Sequence, residues 1–183
     1  MTRADIPNII SVMRILLVLP TVAALASEKF LLALLLFALA GISDALDGYI
    51  AKRFHYQSRL GTILDPLADK LLLVATYLVL SWLDLLPWWL AAAVVARDLL
   101  ILAGAVSFHV FIGEYEMEPT VISKFNTAMQ ILLGLTVVFS AGVYALPEAV
   151  IGWLVLLVLV TTVVSGIDYV WTWSVRAWRA RHG

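Results

Sequence analysis

Four aspartates sit in otherwise apolar sequence at helical spacing: Asp44, Asp47, Asp65 and Asp69. Ionisable groups are costly in lipid and mark functional sites when they occur inside spans. The first pair lies in Ser43-Asp44-Ala45-Leu46-Asp47-Gly48-Tyr49-Ile50-Ala51-Lys52-Arg53, the second in Gly61-Thr62-Ile63-Leu64-Asp65-Pro66-Leu67-Ala68-Asp69-Lys70. On a helix Asp44, Asp47, Gly48 and Ala51 fall at i, i+3, i+4 and i+7, which is one face. Gly61, Asp65 and Asp69 fall at i, i+4 and i+8, again one face. The short connection predicts antiparallel neighbouring helices, so the four carboxylates are expected to converge. At about 5 Å and an effective dielectric of about 20, each ionised pair costs about 3 kcal/mol, and four charges make roughly six such pairs. Either some are protonated or cations are bound. Hard oxygen ligands suit Mg²⁺, Mn²⁺ or Ca²⁺, not zinc or copper. Two divalent ions would cancel the four charges, and two-metal sites commonly act on phosphoryl groups. Gly48 and Gly61 leave room for a phosphate or nucleotide to approach the backbone. The competing reading is structural: ion pairs with Lys52, Arg53, Lys70 and Arg97, or the lining of a cation pathway.

The elements that must position these acids follow from composition. Of 183 residues, 63% are hydrophobic and 14% charged, with mean hydropathy +0.99. A soluble domain is roughly 45–50% apolar and about 25% charged, so this chain needs lipid as part of its solvent. A net charge of −1 points to no nucleic-acid partner, and the absence of cysteine excludes disulfides, thiolate metal sites and cysteine nucleophiles. Six apolar stretches have membrane length: Ile9–Ala26, Phe30–Lys52, Ile63–Leu83, Trp88–Ile112, Phe125–Leu146 and Val150–Trp173. Turn and charge signals separate them: Ser27-Glu28-Lys29, His55–Arg59, Asp84 with Pro87, Glu114–Thr120, and Pro147-Glu148. The runs are continuous, not alternating, which favours helices over a barrel. The expectation is an all-α integral membrane protein, one domain over residues 1–183, built as a six-transmembrane-helix bundle. Arg14 interrupts the first apolar run, which argues against a cleaved signal peptide ending near Ala26.

Basic residues set the orientation. With six spans, Arg3, Lys52, Arg53, Arg59, Lys124, Arg176, Arg179 and Arg181 share one side, and Lys29 stands alone on the other. Both termini and the acidic cluster are therefore expected on the cytoplasmic face. The short stretch ahead of the first span favours a bacterial plasma membrane over an organelle.

The spacing Asp44-x2-Asp47-Gly48-x2-Ala51-Lys52-x8-Gly61-x3-Asp65-x3-Asp69 resembles the D-x2-D-G-x2-A-R-x8-G-x3-D-x3-D pattern of CDP-alcohol phosphatidyltransferases. Seven of the eight fixed positions match. Lys52 departs: it stands where the family usually has Arg, keeping the charge and losing the bidentate fork, with Arg53 beside it. The resemblance implies six membrane helices and a cytoplasm-facing site with two divalent cations, Mg²⁺ or Mn²⁺. By motif position Asp44, Asp47, Asp65 and Asp69 would be the metal ligands, and Asp69 also the general base. Gly48, Ala51 and Gly61, with Lys52 and Arg53, would adjoin the donor nucleotide and its phosphates. The implied reaction is displacement of CMP from CDP-diacylglycerol by an acceptor hydroxyl.

The resemblance extends from about residue 7 to residue 131. Pro7-Asn8 with Arg14 is similar to the branch that makes phosphatidylglycerophosphate and cardiolipin. Leu64 to Lys70, Asp84-Leu85-Leu86-Pro87, Ala96-Arg97-Asp98 and Pro119 to Gln130 look most like eukaryotic-type cardiolipin synthases. The last two spans add only hydrophobicity. Glycerol 3-phosphate, a dianion, would want dedicated basic contacts, yet no basic residue lies between Arg97 and Lys124, where Glu114, Glu116 and Glu118 stand. Phosphatidylglycerol is therefore the expected acceptor, with glycerol 3-phosphate the alternative and inositol phosphate a remoter one. Arg14, Arg59, Arg97 and Lys124 are available for substrate phosphate. For Arg97-Asp98 a substrate contact and a buried pair stand equal. Asp168 reads as a polar contact, and His55 and His109 as bystanders. The tryptophans near span ends read as interfacial anchors. Membrane lipids are expected partners, and a homodimer is left open. The rival classes are a cation transporter using the same acids and a non-catalytic membrane interaction protein.

Overall fold

The computed structural model describes the backbone of residues 5–54, 61–111 and 120–182, and the side chains of residues 16–43, 70–104 and 120–175. Among the described residues there are six α-helices and no strand: α1 (Asp5–Ala26), α2 (Phe30–Phe54), α3 (Gly61–Trp82), α4 (Trp88–Phe111), α5 (Val121–Gly142) and α6 (Glu148–His182). Val121–Gly142 and Glu148–Val175 are long and apolar enough to cross a membrane, and Leu16–Ala26, Phe30–Ser43 and Lys70–Trp82 are shorter apolar stretches. On α6, Trp153, Val160, Val164, Ile167 and Trp171 are exposed. Exposed apolar side chains on a helix of this length fit lipid, not a soluble core.

Local chemistry sets the helix ends. After α1, Glu28 takes a left-handed backbone (φ 56°), and the Lys29 and Glu28 amides donate to the Ala24 and Leu25 carbonyls, both at 2.8 Å. After α3, Asp84 does the same (φ 56°), with Leu85 donating to Leu80 at 2.9 Å and Asp84 to Ser81 at 3.2 Å. Both are Schellman closures, which satisfy the last carbonyls where no further turn follows. Helix α5 starts at a Thr120 cap, whose Oγ1 accepts the Ser123 amide at 3.2 Å. It therefore begins four residues ahead of the apolar run expected from Phe125 and ends at Gly142, not Leu146. Helix α6 runs on past Trp173 to His182, because nothing in Arg176–His182 breaks a helix.

The chain forms two units, Met1–Leu86 with Gly134–Leu146, and Pro87–Leu133 with Pro147–Gly183. In the first, α1 packs along both α2 and α3. Its buried faces read Thr21, Ala24, Leu25 on α1, Ala33, Phe37, Ala40 on α2, and Leu72, Leu73, Thr76, Tyr77, Leu80 on α3. Small alanines permit close helix approach. The buried Thr21 and Thr76 hydroxyls donate back to Leu17 (2.7 Å) and Leu72 (2.8 Å), so neither is orphaned in an apolar setting.

Gly142 closes this unit. A Cβ there would collide with Phe30 Cβ and sit 3.1 Å from the Leu31 nitrogen and 3.2 Å from the Phe30 carbonyl carbon. Backbone yields poorly, and overpacking costs about 1–3 kcal/mol, against a helix-propensity gain of at most about 1 kcal/mol. Gly142→Ala is expected to lower the midpoint of thermal unfolding in detergent. Gly152→Ala, whose Cβ would meet open space, is expected to leave it unchanged or raise it.

In the second unit α4 packs along α6. The buried positions are Leu90, Ala91, Val94 and Arg97 on α4, Ser123, Asn126, Gln130 and Leu133 on α5, and Val158, Thr162, Ser165 and Tyr169 on α6. Asn126 Oδ1 accepts the Thr161 hydroxyl at 2.8 Å and the Thr162 hydroxyl at 3.0 Å. Polar contacts of this kind join helices where lipid offers no hydrophobic driving force between them.

Candidate active site

The acidic motif lies on two helical segments of the first unit. Asp44, Asp47, Gly48, Ala51, Lys52 and Arg53 occupy the last three turns of α2, and Gly61, Asp65 and Asp69 the first three of α3. The helical backbone through both segments preserves the i, i+3, i+4, i+7 and i, i+4, i+8 registers expected of them. Their side chains lie outside the described residues, as do those of Arg14, Arg176, Arg179, Arg181, Trp178 and His109. Arg3, Arg59, His55, Glu114, Glu116 and Glu118 lie outside the described residues altogether. The last described side chain before the acids, Ser43, donates to Leu39 O at 2.8 Å and so is turned back along its own helix. As a donor set, four carboxylates held on unbroken helix suit hard divalent cations in the octahedral range.

Arg97 and Lys124 are described, and they differ sharply. Lys124 is exposed on the first turn of α5. Arg97 is only 5% exposed. Its Nη1 donates to Asp98 Oδ1 at 2.6 Å. Its Nη2 donates to Ser123 Oγ at 2.5 Å and to Ser165 Oγ at 2.6 Å, and its Nε to Ser165 Oγ at 3.2 Å. The guanidinium carbon also lies 5.9 Å from the centre of the Tyr169 ring, within cation–π range. A lone guanidinium in a low-dielectric bundle would be costly. Asp98 neutralises it and the two serines take up its donors. The buried-pair reading of Arg97-Asp98 is thus what this geometry contains.

Ser123, Ser165 and Tyr169 were not legible as partners. A trace existed on the last span: Thr162, Ser165 and Tyr169 recur at i, i+3 and i+7, a polar stripe on an otherwise apolar helix. Asp168, beside it, is half-buried, and its Oδ2 is enclosed with no hydrogen-bond partner among the described residues.

The family model for CDP-alcohol phosphatidyltransferase matches residues 4–175, and the chain belongs to that family. The match extends into α6, as far as residue 175, over a helix that by sequence shows only hydrophobicity. The chain is 38% identical over 144 residues to a protein named cardiolipin synthase (CMP-forming) from Homo sapiens, covering 70% of this chain and 48% of that one. It is 39% identical over 114 residues to one of the same name from Streptomyces coelicolor, covering 57% and 52%. It is 34% identical over 146 residues to the chloroplastic CDP-diacylglycerol–glycerol-3-phosphate 3-phosphatidyltransferase 1 of Oryza sativa, covering 70% and 44%. The chain spans about half the length of the curated relatives it matches.

Proposed function

We propose that this chain is an integral membrane enzyme that transfers a phosphatidyl group from CDP-diacylglycerol to the free glycerol hydroxyl of phosphatidylglycerol, releasing CMP. The carrying observation is the aspartate motif, seven of eight positions at family spacing, on helical backbone within a chain of this family. In this reading the six apolar stretches each cross the membrane, and the distribution of Lys and Arg puts both termini and the motif on the cytoplasmic side.

Asp44, Asp47, Asp65 and Asp69 fit two divalent cations, Mg²⁺ or Mn²⁺, which when bound neutralise the donor diphosphate and the departing phosphate. Asp69 takes the proton of the acceptor hydroxyl. The acceptor oxygen forms a bond to the phosphorus that carries the diacylglycerol, the bond from that phosphorus to the bridging diphosphate oxygen breaks, and CMP leaves with the electron pair. Gly48, Ala51 and Gly61 make room for the nucleotide. Lys52 and Arg53 bring positive charge to the donor phosphates. Arg14, Arg59 and Lys124 serve the phosphate of the acceptor lipid.

A second reading takes glycerol 3-phosphate as acceptor, and the rice relative's name favours it. The two separate in one assay: purified protein, CDP-diacylglycerol, Mn²⁺ or Mg²⁺, and each acceptor in turn. CMP release with phosphatidylglycerol is the expected result. Release with glycerol 3-phosphate alone would replace the acceptor, and no release with any alcohol would refute the enzyme reading.

A further inference from the structure

We infer that Arg97 is a positioning residue that holds Lys124 in place for the acceptor phosphate, and that Ser123 and Ser165 belong to the same device. The inference rests on the reading just given for the acceptor. Arg97 is poorly suited to grip a phosphate itself. A guanidinium has five N–H groups. Nε and both Nη2 hydrogens are engaged by Ser165 and Ser123, and one on Nη1 by Asp98. The adjacent Asp98 carboxylate, 2.6 Å away, also cancels most of the field an incoming phosphate would feel. Little of the fork geometry that makes arginine a phosphate ligand remains.

The same contacts make Arg97 a clamp. It starts on α4, reaches Ser123 in the first turn of α5 and Ser165 in the middle of α6, and lies against the ring of Tyr169. Ser123 is buried while its neighbour Lys124 is exposed. Consecutive residues on a helix point about 100° apart, so pinning Ser123 inward fixes the direction in which Lys124 leaves the helix. The cap works toward the same end: the Ser123 amide donates to Thr120 Oγ1 at 3.2 Å and the Lys124 amide to the Thr120 carbonyl at 3.1 Å. Lysine is a point charge on a long flexible stem, so its helix turn must be fixed if it is to meet a phosphate repeatedly at one place. Arg97 supplies the fixing and Lys124 the charge.

Steady-state kinetics of the full chain test this. Ser123→Ala and Ser165→Ala each remove one acceptor of the clamp without altering the helix. Each is expected to raise KM for the acceptor about three- to tenfold, a fraction of what one lost hydrogen bond to a charged group is worth, because the loss reaches the acceptor only through Lys124. KM for CDP-diacylglycerol and kcat should move less than about twofold. In a Lys124→Ala background the serine substitutions should add nothing. Unchanged acceptor KM, or effects that multiply with Lys124→Ala, would overturn the inference. Because the chain has no cysteine, a nitroxide on a single Val121→Cys reads the same turn without any catalysis. Ser123→Ala should make that label more mobile, and equal mobility would overturn the clamp. If the unmodified chain released no CMP with any acceptor, the functional reading would fall, and the label would still decide the clamp.

Discussion

Asp69→Asn is expected to stop phosphatidyl transfer, lowering kcat about 10²- to 10⁴-fold in the presence of saturating Mn²⁺. That range is what removal of a positioned general base costs. Asparagine keeps the shape and one oxygen, so donor binding should survive, and KM for CDP-diacylglycerol should change little beside kcat. The accompanying stability change distinguishes this from misfolding. In the proposed site without metal, Asp69 would be one of four like charges, and each ionised pair would cost about 3 kcal/mol at close range. Asp69→Asn should therefore leave the metal-free protein as stable as the parent or more so, measured by unfolding in detergent. A non-catalytic membrane protein would keep its behaviour after this substitution, and a damaged enzyme would lose stability along with activity.

Metal removal should have an effect of similar size. Chelation is expected to abolish CMP release, with full recovery on adding Mg²⁺ or Mn²⁺ and none with monovalent salt. The same ions should stabilise the fold, because in the proposed reading they bind the folded arrangement of acids and not the dispersed acids of the unfolded chain. Linkage gives about 2.7 kcal/mol for each site at a hundredfold excess over Kd. Asp44→Asn and Asp65→Asn, one from each helical segment, should each reduce that stabilisation. A cation pathway would instead respond to monovalent ions and retain no link to CMP release.

The helix breaks are largely legible in the residues. The Ser27-Glu28-Lys29 break reads as a charge interruption, and α1 ends there at Ala26. Sequence could not tell that Glu28 itself carries the left-handed turn, a conformation usually left to glycine. Likewise Asp84 marks a break, and the backbone uses it for the closing turn after α3. Helix α5 shows where apolarity misleads. The apolar run begins at Phe125, but a helix begins where its amides first find partners, and Thr120 supplies one. Hydropathy reports where lipid is tolerated, whereas capping reports where hydrogen bonding starts.

Arg97 shows the other boundary. Adjacent Arg97 and Asp98 allow two readings, since neighbours along a helix do not share a face. The buried pair that the structure shows is completed by Ser123 and Ser165, 26 and 68 residues away. Serine on an apolar span carries almost no signal of its own. The aspartate motif is the opposite case. Its partners are at most 25 residues apart along the chain, from Asp44 to Asp69, and a periodicity argument alone places them on two helix faces.

The central claim is that these acids bind divalent cations in order to hold a diphosphate. Electron paramagnetic titration of the purified protein with Mn²⁺, in the presence of CDP-diacylglycerol, tests it most directly. The expected result is two bound Mn²⁺ per chain, coupled to each other, and loss of both when Asp44 and Asp65 are changed to asparagine. Binding of no Mn²⁺, or of Mn²⁺ that is indifferent to those two substitutions, would contradict it.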